Sequence, residues 1–233
     1  MATFALVHGA GHGAWCWERL VPALEAHGHT AIAMDLPCDD PAAGCVRYAD
    51  VVAEAVPPAT DLVVVGHSLG GLTIPLVAAR RPVRMLVFLC ALIPAFGQSL
   101  LDQLAADPTI YHDTLRTHPG RVTGPDGSTW FRDAAAARTV FYQDCRPEDA
   151  RWAFTRLRTQ ASAPRREPCP LAAWPPAARA YILARDDRAV SPAWSRSAAR
   201  ERLGVAPLEL EGGHSPFLAR PGELAAVLDR LAR

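Results

Sequence analysis

Short apolar runs, many of them rich in β-branched residues, recur along the chain and stop at clusters of glycine, proline or acidic residues. Thr3–Val7, Thr30–Met34, Leu62–Val65, Met85–Cys90, Ala180–Ala184 and Leu208–Leu210 read this way, and their continuous apolarity predicts strands covered on both faces. Between them, apolar positions fall at helical spacing. The predicted helices are Glu18–His27, stopped by Gly28; Val46–Val56, ended before Pro57 and Pro58; one carrying Leu72, Leu76 and Ala79; Ala193–Leu203; and Glu223–Leu231. This alternation, without internal repeats, predicts an α/β fold built on a right-handed, doubly wound, mainly parallel sheet. Pro75 falls inside the third helix and predicts a kink or a missing backbone hydrogen bond there.

The alternation lapses between residues 93 and 176, dividing the chain into a core of 1–92 and 177–233 and an inserted segment, 93–176. Within the insertion, Gly124-Pro125-Asp126-Gly127 reads as a turn between short extended pieces, and Pro147-Glu148-Asp149 opens a helix carrying Trp152, Phe154 and Leu157. An insertion after a strand's carboxyl end lies over the site of a doubly wound sheet, so this one is expected to form a lid. Its aromatics, Tyr111, Trp130, Phe131, Phe141, Tyr142, Trp152 and Phe154, either line an apolar pocket or pack the cap. Trp130, Phe141 and Trp152, together with His12, are the pocket candidates.

The strand at Leu62–Val65 runs straight into Gly66-His67-Ser68-Leu69-Gly70-Gly71, and helical spacing resumes at once. Strand, G-x-S-x-G and helix describe a nucleophile elbow, in which the tight turn leaves little room beside the serine and projects its hydroxyl from the strand end. An ordinary Gly-Ser loop also fits the five residues, but not the strand before and the helix after them. The N–H of Leu69, at the start of the new helix, then faces the space where an oxyanion forms. A second donor is available in the loop after the first strand, His8-Gly9-Ala10-Gly11-His12-Gly13, where glycines let backbone approach a ligand and the N–H of Ala10 complements that of Leu69. A metal reading of His8 and His12 fails, because their spacing joins two ligands only on a helix and these glycines oppose one. Downstream, Asp186 and Asp187 close a late strand and His214 sits in a glycine loop after the last one, where it could swing over Ser68. The order serine, acid, histidine is that of a catalytic triad on this kind of sheet.

Composition narrows the partners. The 233 residues are half apolar, enough for one sizeable core, and 24 basic residues balance 24 acidic ones. Without a block of like charge, neither nucleic acid nor an anionic membrane is an expected partner; a small molecule is. Every basic residue is arginine, and a chain without lysine excludes Schiff-base chemistry, pyridoxal-phosphate enzymes and P-loop NTPases. The same arginine-, alanine- and proline-rich usage suggests a GC-rich bacterial genome. Six cysteines without C-x-x-C spacing are expected to stay reduced, with no zinc site, and the absence of a basic, apolar leader points to the cytoplasm.

Taken together, HGAGHGAWCW, GHSLGG, RDDRAV and GGHSPF resemble the α/β-hydrolase fold family, and within it the branch of plant methylesterases and hydroxynitrile lyases together with small bacterial esterases. The resemblance implies Ser68 as nucleophile, His214 as general base and then acid, Asp187 as the carboxylate orienting His214, and Ala10 and Leu69 as oxyanion donors, with no metal and no cofactor. Related sequences place the acid four or five residues before a proline, and Pro192 lies five after Asp187; Asp186 remains the alternative. Serine at the elbow disfavours the family's epoxide hydrolases and haloalkane dehalogenases, which use aspartate there. Its cyanohydrin lyases resemble one another in a lysine directly after the histidine, where this chain has Ser215. The leading expectation is a hydrolase of small carboxylic esters acting through an acyl-enzyme, with thioester, lactone or carbon–carbon hydrolysis as variants. Non-hydrolytic chemistry on the same site and a catalytically silent small-molecule binding protein are the other classes; no oligomeric state is implied.

Overall fold

A computed structural model describes residues 1–58 and 61–233. Six strands, β1 (Thr3–Val7), β2 (Thr30–Ala33), β3 (Leu62–His67), β4 (Met85–Leu89), β7 (Ala178–Ala184) and β8 (Leu208–Leu210), form one sheet of order β2-β1-β3-β4-β7-β8, every neighbouring pair parallel. The segment 93–176 adds no strand to that sheet. It carries a separate antiparallel hairpin, β5 (Arg121–Thr123) and β6 (Thr129–Phe131), and five helices: α4 (Leu100–Ala106), α5 (Asp113–Thr117), α6 (Ala134–Phe141), α7 (Pro147–Phe154) and α8 (Ala163–Arg166). The turn at residues 124–127 and the helix opening at Pro147 fall where their residues place them.

Side chains leave the strands on alternate faces, and each face has its own core. Ala5, Val7 and Val64 pack with α2 (Cys45–Ala55), α3 (Ile74–Ala78) and α9 (Pro192–Ala198). Phe4, Leu6, Val63 and Val65 face the other way, onto α1 (Leu20–Ala26) and the last helix, Pro221–Leu231. Burying a strand valine or leucine on either side stabilises by about 1.5–3 kcal/mol, which accounts for the near absence of polar residues in β1, β3 and β4.

Pro75 does not kink a helix. The chain leaves β3 through a 3₁₀ turn, Ser68–Leu72, and the α-helix starts only at Ile74, so Pro75 occupies its first turn, where no backbone N–H is required. The helical periodicity is real, but the helix begins later than the apolar spacing alone indicates.

From β1 the chain steps outward to β2, then returns to place β3 on β1's other side, so the winding reverses between β1 and β3. The carboxyl ends of these two strands, Val7 opposite Gly66, open a crevice at the switch point where doubly wound sheets bind ligands. Among the described residues, no helix is long and apolar enough to cross a membrane.

Candidate active site

From Leu62 to Val77 every residue is buried except Ser68, which is partly exposed. Its φ of +52° lies in the left-handed region, one of two such non-glycine residues among those described. That conformation costs about 1–3 kcal/mol and persists only where the surroundings enforce it. Here a Cβ on Gly66 would stand 2.7 Å from the Ile74 side chain, and one on Gly70 would stand 2.8 Å from the carbonyl oxygen of Val7. The elbow closes because neither residue has one. The Leu92 N–H donates to the Ser68 carbonyl at 3.0 Å, tying the elbow to the chain that leaves β4.

His214 follows β8 and is fully buried. Its Nδ1 lies 2.8 Å from Oδ2 of Asp187, itself buried. Oδ1 of Asp187 accepts the N–H groups of Ala189 at 2.7 Å and Val190 at 3.0 Å, which fixes the carboxylate in its plane. Asp186 is exposed, and its backbone carbonyl accepts a hydrogen bond from the Gln143 amide. The two adjacent aspartates are thus told apart by their directions from the chain. The glycine loop around His214 is fastened rather than free: the Gly213 N–H donates to Asp144 at 2.9 Å, the His67 ring bonds the His214 carbonyl at 2.9 Å, and Phe141 stacks on the imidazole at 5.4 Å. Nε2 of His214 is buried and has no hydrogen-bond partner among the described residues. The Ser68 hydroxyl does not fill that position in this conformation, and such contacts commonly tighten only when substrate binds.

The loop after β1 lies against the elbow so closely that a Cβ on Gly9 would fall 2.8 Å from that of Ser68. Two neutral histidines hold its shape. Nδ1 of His8 donates to the Gly9 carbonyl at 2.9 Å while Nε2 accepts the Leu36 N–H at 2.9 Å. Nδ1 of His12 donates to the Ala10 carbonyl at 2.8 Å, and Nε2 accepts from the Tyr142 hydroxyl at 2.8 Å. Burial pushes their pKa values down to about 4 and about 3, so both stay neutral at pH 7. With both ring nitrogens engaged, neither is free to ligate a metal, and no cluster of three metal-ligating side chains occurs among the described residues.

A cavity of about 490 Å³ opens at this crevice, with Ala10, Ser68 and Leu69 in its wall. Trp130 and Phe141 line it, along with Tyr111, Phe131 and Phe154. His12 and Trp152 do not. His12 is buried behind the loop, consumed by Ala10 and Tyr142, and Trp152 lies outside the cavity, edge-on to Trp15 at 5.4 Å with Arg156 over its face. Tyr142 is likewise core, so the insertion's aromatics split between the two roles. Phe154→Ala is therefore expected to shift the preference between bulky and small acyl groups about tenfold, whereas Trp152→Ala lowers the melting temperature and leaves that preference in place. Parallel ester kinetics and thermal melts on the two variants decide this; a larger selectivity change at Trp152 would reverse the assignment.

Residues without a motif also build the site. Arg158 donates to the carbonyls of His12 at 3.0 Å and Leu36 at 2.8 Å, and Gln160 accepts the Gly11 N–H at 3.1 Å, so the insertion clamps the loop after β1. These contacts join positions more than a hundred residues apart and leave no local trace in the sequence.

A model of the alpha/beta hydrolase family matches residues 4–227. Esterase PIR7B of Oryza sativa subsp. japonica is 42% identical over 110 residues, covering 42% of this chain and 41% of the rice protein, so this chain aligns with less than half of that relative's length. Norfluorocurarine synthase 1 of a Strychnos species is 27% identical over 258 residues, covering 98% of this chain and 94% of the relative. The crystal structure of polyneuridine aldehyde esterase superposes with a TM-score of 0.81 at 23% identity, covering 100% of both chains, a likeness of fold. Both sequence relatives are plant proteins and lend no support to the bacterial source suggested by the arginine-only composition.

Proposed function

The chain belongs to the alpha/beta hydrolase family, and on that premise we propose that it hydrolyses small carboxylic esters through an acyl-enzyme on Ser68. The observation that carries this reading is the buried His214–Asp187 pair, bonded through Nδ1 at 2.8 Å, which leaves Nε2 unpartnered as the nitrogen able to accept a serine proton. Esterase relatives favour the same reaction class. In the mechanism, Ser68 Oγ bonds the ester carbonyl carbon while its proton passes to Nε2 of His214, and Asp187 stabilises the imidazolium so formed. The N–H groups of Ala10 and Leu69 receive the oxyanion. Collapse expels the alcohol, which takes the proton from Nε2; water then attacks the acyl-enzyme with His214 again as base, and the carboxylic acid leaves. Segment 93–176 acts as the lid that walls the cavity, and six buried, free cysteines fit a reducing cytoplasm.

The test is a series of nitrophenyl esters of increasing acyl length, run with and without a chelator, with rapid quenching and intact-mass detection. A transient mass increase equal to the acyl group is expected, with rates unaffected by chelation. Mandelonitrile is expected to stay uncleaved, because departing cyanide calls for a nearby positive charge and the position after His214 is Ser215, a buried hydroxyl. Ester turnover that collapses with chelator, or fast enzyme-dependent benzaldehyde release, overturns the reading. One observation favours a second reading: one of the relatives aligned over nearly the whole chain is named a synthase, so the same triad set to carbon–carbon or other non-hydrolytic chemistry is the alternative. It is distinguished by products of a β-keto ester screen.

A further inference from the structure

The cavity wall carries three arginines: Arg158 holds the loop after β1, and the other two have no part in the ester mechanism. Arg165, on α8, is 8% exposed, and its Nε is buried without a hydrogen-bond partner. One of its terminal nitrogens donates to the Gly127 carbonyl, and no carboxylate pairs with it among the described residues. Arg121, on β5, stands opposite Phe131 in the hairpin and likewise lines the cavity without an ion-pair partner among the described residues. The hairpin's own carboxylate, Asp126, is turned instead to the Ser128 N–H at 2.9 Å and hydroxyl at 2.7 Å. Tyr111 lines the same cavity, and both arginines act on it electrostatically.

Tyr111 is fixed relative to the reacting groups. Tyr111 pairs with Val190 in a β-bridge, the His112 N–H donates to Ala189 at 2.9 Å, and Val190 in turn donates to Asp187. Ser68, Tyr111, Arg121 and Arg165 all line one cavity. A guanidinium withdrawn from water without a counter-charge is unfavourable, and burial indeed opposes the charge of Arg165. A second cation beside it adds repulsion that a bound anion relieves, and a planar guanidinium with a free edge matches a carboxylate.

We propose that the Tyr111–Arg121–Arg165 corner is an anion subsite, and that the substrate is an ester carrying a second, ionised carboxylate. The inference rests on the ester-hydrolase reading and adds the substrate's charge to it. Arg165 and Arg121 hold the carboxylate, Tyr111 donates its hydroxyl to it, and the scissile ester lies at Ser68.

The experiment uses matched pairs: mono-4-nitrophenyl glutarate, adipate and suberate against the same compounds with the free carboxylate capped as a methyl ester, and 4-acetoxybenzoate against its methyl ester. The quantity read is the ratio of kcat/KM for the charged member to that for the capped member. Being a ratio on one preparation, it does not depend on the fraction of folded enzyme, and comparison of wild type with variant cancels intrinsic reactivity. In at least one pair, Arg165→Gln and Arg121→Gln are each expected to lower the wild-type ratio at least tenfold, mainly through KM. Arg165→Gln also removes the contact to Gly127; if it fails to fold, Arg121→Gln alone decides. A ratio unmoved by substitution in every pair overturns the anion subsite while leaving ester hydrolysis intact. Absence of turnover and of acyl-enzyme for charged and capped members alike overturns the ester reading itself.

Discussion

Ser68→Ala is expected to abolish covalent capture of a fluorophosphonate probe and to lower ester turnover by about 10⁶-fold, the scale seen when a hydrolase of this type loses its nucleophile. Of all residues between Leu62 and Val77, Ser68 alone is not buried, and it stands at a φ of +52° imposed by the elbow. Alanine fits the same backbone and keeps the turn, the cavity and the His214–Asp187 pair, so the loss is chemical rather than structural. Melting temperature and circular dichroism of the variant are therefore expected to match wild type. Other serines do not substitute: Ser215 is buried beside His214, with its hydroxyl enclosed, and Ser128 lies in the hairpin, bonded to Asp126. Labelling that persists in the variant would sink the assignment of Ser68, and turnover within tenfold of wild type would sink covalent catalysis altogether.

The parts of this site that were legible in the sequence are those whose geometry is local. Gly66, Ser68 and Gly70 encode the elbow within five residues, because the turn excludes Cβ atoms at fixed offsets from the serine. The parallel sheet was equally legible, since each buried strand is one continuous apolar run, and the edges of β7 and β8 shift by no more than two residues between expectation and structure. Pro75 was misplaced because apolar spacing does not distinguish a 3₁₀ turn followed by a short helix from one longer helix. His12 and Trp152 fall outside the cavity wall for a different reason. Aromatic and imidazole rings suit a cavity wall and a core equally, and what sends His12 inward is the Tyr142 hydroxyl, 130 positions away. Arg158, Gln160 and Arg165 carried no signal at all: the insertion has weak periodicity, and an arginine in it reads as surface until the fold buries it.

Asp187→Asn is expected to reduce turnover by on the order of 10⁴, the cost of fixing the wrong imidazole tautomer, and the structure supplies the reason the tautomer must switch. Oδ1 of Asp187 accepts two backbone N–H groups, from Ala189 and Val190, and Oδ2 faces Nδ1 of His214. An asparagine placed here has one acceptor and one donor end. Its carbonyl oxygen is held by the two backbone donors, since an NH₂ group set against them would leave three donors facing one another in a buried place. The NH₂ therefore points at Nδ1, which must become the acceptor, and the ring proton moves to Nε2. A protonated Nε2 cannot take the proton of Ser68, so the serine stays a poor nucleophile although every heavy atom keeps its position. Asp186→Asn changes an exposed side chain whose backbone, not its carboxylate, makes the recorded contacts, and turnover is expected to stay within about twofold. Both variants are to be assayed on one activated ester across pH, with melting curves alongside. Recovery of the Asp187→Asn variant at high pH, where hydroxide can take the Ser68 proton in place of Nε2, is the signature of a tautomer defect. A large loss at Asp186 with a small one at Asp187 would move the acid by one residue.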